Sequence, residues 1–163
     1  EGKKSKPRAL LVFGAPCSGK TTFAEKFAKK FDLAYYDFDN LKAEARLTRK
    51  TILLILTLLS RTKKTLVIEG GVGTEKERVE MRNILNAAGY NPTLIWVQTD
   101  TATIRTRMKT RYKSVARAKE VYNSSIEELE APADEERPII LSGKHTFETQ
   151  TKHVLSGLAD AEK

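Results

Sequence analysis

Apolar and polar positions follow two rhythms along this 163-residue chain. Short apolar runs at residues 9–13, 33–38, 65–68, 92–99 and 138–142 have the length and composition of buried strands. Longer stretches with helical spacing lie between them, at 20–31, 43–59, 75–88, 103–119 continuing through 121–129, and 146–158. In the first of these, Phe23, Phe27 and Phe31 recur every fourth residue and mark one buried face. The run at 65–68 has the character of a central strand, and Gly70, Gly71 and Gly73 break it. Strands that alternate with helices at this spacing predict a parallel sheet covered on both faces. The expectation is one α/β domain over residues 8–158, with no internal repeat, low-complexity tract or dividing linker.

Composition adds exclusions. Hydrophobic residues at 40% and charged residues at 31% place the chain among folded rather than disordered sequences. A net charge of +8 favours anionic partners: nucleotides, phosphorylated metabolites, nucleic acid or an acidic membrane surface. It does not choose among them. The longest uncharged apolar run, residues 51–60, is too short to span a bilayer, so no membrane partner is expected. Cys17 stands alone, which excludes an intrachain disulfide and is compatible with a reducing compartment. The start Glu1-Gly2-Lys3-Lys4-Ser5-Lys6 shows no signal peptide. A cytoplasmic location follows as the expectation, with residues 1–8 and 160–163 expected to fray. No oligomer is predicted.

One motif carries chemistry directly. Gly14-Ala15-Pro16-Cys17-Ser18-Gly19-Lys20-Thr21 fits the pattern G-x-x-x-x-G-K-[ST], between an apolar strand and a helical segment. Such a loop points successive backbone N–H groups into one cavity, and side chains at Gly14 or Gly19 would obstruct its path. The helix beginning near Lys20 adds its positive end. Lys20 is expected to reach the β- and γ-phosphates of ATP or GTP. Thr21, with Thr22 beside it, is expected to offer its hydroxyl to Mg2+. Cys17 is expected to be a small filler within the loop. The dinucleotide pattern G-x-G-x-x-G is absent, as are the protein-kinase H-R-D and D-F-G sequences.

This loop, with the runs YYDFDNLK, TLVIEGG and TDTATIRTRMKTR followed by IEELEAP, resembles the small P-loop kinases. That broad group includes polynucleotide 5'-kinases, zeta toxins, gluconate kinase and chloramphenicol phosphotransferase. The resemblance covers roughly residues 8–158. It implies a three-layer P-loop NTPase fold with a short parallel sheet of about five strands and a small helical lid at about 103–119. It also implies ATP and Mg2+ as cofactors, and transfer of the γ-phosphoryl group to a hydroxyl.

Several residue roles follow from that resemblance. Asp39 matches the aspartate that faces the acceptor hydroxyl, and Asp37 lies two residues before it. The alternative roles are a solvated strand end for Asp37 and a helix N-cap for Asp39. In many relatives an arginine follows this aspartate closely; here Lys42 stands near that point, and Arg46 and Arg49, further along, are the other candidates for holding an anionic substrate. Glu69, at a strand end, takes the place of the metal-linked carboxylate. There the sequence departs from the family, because Gly70-Gly71 replaces the usual polar residues. A wide or mobile acceptor site is one expected consequence. Arg107 and Arg111, four residues apart, match lid arginines, with Arg117 a third. The loop from Ser142 to Thr146 is expected to pack on the base. The acceptor classes left open are a nucleic-acid or nucleoside 5'-hydroxyl, a small metabolite, an antibiotic and a nucleotide sugar. A regulatory nucleotide-binding module and a partner-driving NTPase remain as other classes.

Overall fold

The computed structural model describes residues 5–161. Five strands form one wholly parallel sheet: β1 (Arg8–Phe13), β2 (Ala34–Asp37), β3 (Leu66–Glu69), β4 (Asn91–Gln98) and β5 (Ile139–Ser142), in the order β2-β3-β1-β4-β5. β1 therefore holds the centre, not the strand at 65–68 as its apolar character suggested. Strand order is set by pairing between distant segments, and local hydropathy does not encode it. Every strand runs the same way, so the loops after β1, β2, β3, β4 and β5 gather at one edge. In open α/β sheets that carboxyl edge is where ligands bind.

Helices cover the two faces. On one side α1 (Lys20–Lys30) and α7 (Phe147–Asp160) bury Phe23, Phe27, Val154 and Leu158 against Leu10, Val12 and Ile95. On the other, α2 (Phe38–Glu44), α3 (Arg49–Ser60) and α4 (Glu75–Ala87) bring Phe38, Ile52, Leu56, Met81 and Leu85 onto Leu11, Phe13 and Ile68. Coverage fails at the β5 edge, where Ile140 stays 45% exposed. A third, smaller cluster joins α5 (Thr101–Tyr112) to α6 (Val115–Glu127) through Ile104, Met108 and Ala118, and these pack over Ala15 and Cys17.

Two long helical stretches of the sequence are interrupted. The segment at 43–59 breaks between α2 and α3, where Arg46 takes a left-handed φ of 51° and Thr48 caps α3 by accepting from the Thr51 N–H. The basic segment breaks at Lys113, φ 49°, and Ser114 caps α6. Neither break uses glycine, so neither announces itself by composition. At the ends, Arg8 already belongs to β1 and Asp160 closes α7, so these residues do not fray. The expected fraying at 1–4 and at 162–163 lies outside the described residues. Among the described residues no helix is long and apolar enough to cross a membrane.

One buried cation ties the connections together. Arg78 on α4 is 1% exposed. It pairs with Glu136 at 2.7 Å and donates to the carbonyls of Val72, Gly73 and Glu130 at 3.3, 3.1 and 3.0 Å. The loop after β3 and the segment leading to β5, with its short turn Asp134–Glu136, are thereby fixed to the same helix. Removing the guanidinium would strand a buried carboxylate and several carbonyls. Arg78→Ala is expected to cost about 3–5 kcal/mol in urea unfolding. Arg82→Ala removes only a partly exposed partner of the same Glu136, and is expected to cost about 1 kcal/mol or less.

Candidate active site

The loop after β1 shows how a phosphate cradle is held open. Its carbonyls are tied back: the Thr99 hydroxyl donates to Ser18 O at 2.8 Å, and Arg107 donates to Cys17 O and Gly143 O, each at 3.1 Å. Gly143 presses so closely beneath Ser18 and Thr99 that a Cβ there would collide with both. Gly14 is required in the same way, by the Val97 carbonyl and the Ser18 hydroxyl. Cys17 has a left-handed φ of 58° and packs against the α5–α6 cluster, which suits a small side chain. Gly19 caps α1 without a side-chain bond and no acidic residue occupies the first turn, so the helix end is suited to an anion.

Beside this loop stands Glu69, 2% exposed at the end of β3. It accepts hydrogen bonds from the Thr21 hydroxyl and, at 2.6 Å, from the Tyr35 hydroxyl. Burial pushes its carboxyl above the usual range, while those bonds and the nearby Lys20 pull the other way. Burial and the Glu69 contact also push the Tyr35 phenol up, so Tyr35 remains a donor. Thr21 and Glu69 supply hard oxygen donors. Such a set, completed by phosphate oxygens and water, fits Mg2+.

The turn after Glu69 is compact. Gly70 and Gly71 have φ of 82° and 69°, a region that side chains rarely adopt. The Gly70 N–H donates to Val12 O at 3.1 Å and the Gly71 N–H to Asp39 Oδ1 at 3.1 Å. A Cβ at Gly70 would overlap the Asp39 carboxyl. Gly70 thus leaves room for the Asp39 carboxyl and Gly71 orients it. Asp39 lies in the first turn of α2, not on a strand face with Asp37. Asp37 is the residue that caps α2, accepting from the Asn40 N–H at 2.8 Å.

These elements enclose two adjoining clefts. The first, of about 760 Å3, is lined by Lys20, Thr21, Thr22, Asp37, Asp39, Glu69, Arg107 and Arg111, and reaches Gly143, His145 and Phe147. The second, of about 640 Å3, is lined by Lys42, Arg49, Gly70, Gly71, Glu77 and Glu128. Lys20 and Asp39 line both. Gly14 borders the second cleft, while Ser18 is buried beneath the loop. Arg46 is exposed and lines neither. Arg117 is exposed, pairs with Glu120 at 3.1 Å and also lines neither. Lys144 pairs with Asp100 at 3.3 Å.

The AAA domain family AAA_33 matches residues 32–135. The chain belongs to this family. No curated protein matches it in sequence. Solved structures give the fold of the family member in hand. It is similar to a gluconokinase from Sinorhizobium meliloti 1021, at 18% identity and a TM-score of 0.71, covering 97% of this chain and 95% of the other. It is also similar to the Mycobacterium tuberculosis APS kinase CysC in complex with AMPPNP and APS, at 17% identity and a TM-score of 0.68, covering 96% and 99%. Chaetomium thermophilum Kti12 in complex with ADP-AlF3 aligns at 16% identity and a TM-score of 0.69, covering 94% and 98%. At these identities the likeness establishes architecture: a three-layer P-loop fold of the small-kinase type.

Thr99 escaped the sequence reading as a site residue, and the partners of Tyr35, Arg49 and Gly143 were not legible there, because each contact joins residues distant in sequence. Two outcomes test the geometry. Gly70→Ala is expected to displace the Asp39 carboxyl and lower phosphoryl-transfer kcat/KM at least tenfold, with nucleotide affinity from fluorescence titration unchanged. Glu69→Gln removes a charge whose burial raises the carboxyl's folded-state pKa. Such a group costs stability once pH exceeds its unfolded value, about 4.3. The variant is therefore expected to melt higher than the parent at pH 7 to 8 without metal. The gap should close as pH falls toward 4.

Proposed function

We propose that this chain is an ATP- and Mg2+-dependent phosphotransferase that moves the γ-phosphoryl group to a hydroxyl acceptor. The observation that carries the proposal is the shared position of Lys20 and Asp39 at the junction of the two clefts. A nucleotide in the first cleft and an acceptor in the second would meet between a cation and a carboxylate. The acceptor oxygen forms a bond to the γ-phosphorus as the bond from phosphorus to the β–γ bridging oxygen breaks, and ADP leaves. The hydroxyl proton passes to Asp39 and then to solvent.

Lys20, Arg107 and Arg111 offset the charge on the transferring group. Arg107 is also a strut, since it holds the carbonyls of Cys17 and Gly143. Thr21 and Glu69 would hold Mg2+, which when bound screens the phosphate oxygens. The α5–α6 pair, covering the expected lid at 103–119, serves as the cover that excludes water as a competing acceptor. The loop from Ser142 to Thr146 and Phe147 would face the base. The working unit is the whole sheet and its helices, residues 8–158. The regulatory-module reading drew on the Gly70-Gly71 departure, and the Asp39 seat on that turn favours catalysis instead.

Transfer from γ-labelled ATP to a panel of hydroxyl compounds tests the activity. Asp39→Asn is expected to lower kcat/KM by about 100- to 10,000-fold while leaving ATP affinity within twofold. Label transferred equally by the variant would remove Asp39 as the base.

A further inference from the structure

The second cleft lies where the acceptor would sit, and its charges narrow what that acceptor is. Its charged lining residues are Lys20, Asp39, Lys42, Arg49, Glu77 and Glu128. Arg49 is the planar fork that would ordinarily clasp a carboxylate or phosphate. Here every one of its nitrogens is already engaged. Nε meets Glu80 at 3.0 Å, one terminal nitrogen donates to Gly71 O at 2.7 Å, and the other donates to Glu77 O at 2.9 Å. Glu77 Oε1 stands a further 3.9 Å from the same guanidinium. Its charge is thus offset by carboxylates on α4, and three of its five N–H donors are committed to α4 and to the turn that seats Asp39.

Lys20 serves the phosphates, so Lys42 faces Asp39 and Glu128 among the charged lining residues. An anionic acceptor would meet this excess of carboxylate with no free guanidinium to fix it. Pro16, Ala43 and Leu129 supply an apolar surface for a carbon skeleton, with Phe13, Phe38 and Ile52 buried behind them. We infer that the second cleft selects an uncharged or amine-bearing polyhydroxy compound over carboxylate- or phosphate-bearing acceptors. The selecting device is the sequestration of Arg49 by Glu77 and Glu80. This inference rests on the kinase reading above for the place of the acceptor.

The test is titration calorimetry on the chain saturated with a non-hydrolysable ATP analogue and Mg2+. Three six-carbon probes differ at one end only: glucitol, its 1-amino-1-deoxy analogue and gluconate. A 5'-hydroxyl oligonucleotide is the polyanionic fourth. The alcohol and the amine are expected to bind at least tenfold more tightly than gluconate, and the oligonucleotide more weakly still. Equal or tighter binding of gluconate or the oligonucleotide would overturn the inference, as would binding of none.

The double variant E77Q/E80Q keeps a glutamine able to close the α4 capping box and removes the two carboxylate charges beside Arg49, while its bonds to the Gly71 and Glu77 carbonyls remain. In a variant of unchanged circular dichroism, the gluconate-to-glucitol affinity ratio is expected to rise at least tenfold. An unchanged ratio would remove Arg49 sequestration as the device. Binding of the polyols without transfer of label would sink the kinase activity and leave the acceptor class standing. Transfer of label to gluconate alone would do the reverse.

Discussion

A loop that turns its N–H groups toward a phosphate must turn its carbonyls away, and those carbonyls then need donors of their own. The rest of this molecule is arranged around that requirement. Ser18 O is met by a hydroxyl at the end of β4, and Cys17 O by a guanidinium from α5. The same guanidinium reaches Gly143 after β5. The loop after β1 is thus referenced to its neighbour β4 and, beyond that, to β5. Parallel pairing brings those strand ends to one edge, and the central place of β1 lets support arrive from both sides. On the other flank Glu69, at the end of β3, accepts from Thr21. No single segment is sufficient, which is why the fold and the site share their residues.

The paired glycines after β3 show how a departure from a family pattern can be structural. A side chain at Gly70 would occupy the space that Asp39 fills, and one at Gly71 would press on Arg49. Positive φ at both residues turns the Gly71 N–H to the carboxylate, and Arg49 takes the Gly71 carbonyl. Arg78 secures the following loop through the carbonyls of Val72 and Gly73. The turn is tight because it is bonded on both sides. Where the family's polar side chains are missing, backbone groups of the turn make the contacts.

Local signals carried much of the architecture. The five apolar runs became five strands, and the phosphate loop sits between β1 and α1 as its spacing requires. Thr74 and Glu77 form a capping box that opens α4, close to the expected start. The helix breaks were harder to see. The dense apolar spacing from Ile52 onward masked Thr48 as an N-cap, and Arg46 and Lys113 take left-handed backbone without being glycine or asparagine. The sheet order and the partners of Tyr35, Thr99 and Gly143 were beyond reach, because each depends on contacts across many tens of residues. Asp37 and Asp39 were both singled out, but the capping role considered for Asp39 belongs to Asp37, and Asp39 lies in the first turn.

Charge was the least transferable of the sequence signals. The chain is strongly cationic, and that balance favoured anionic partners without choosing among them. Placed in the fold, the cations have separate occupations. Arg78 is buried in a pair with Glu136 and Arg117 meets Glu120 in solvent, while Arg107 braces the phosphate loop. Arg49, which lines the second cleft, has a bond from each of its nitrogens. A net charge sums over these sites without weighting them by distance or by what each already holds. The field that a ligand meets is set by the few groups left unspent at the cleft. In the first cleft Lys20 and Arg111 remain to face phosphate. In the second the balance turns toward carboxylate. A basic protein can therefore gather its free cations at one cleft and leave a neighbouring cleft with few.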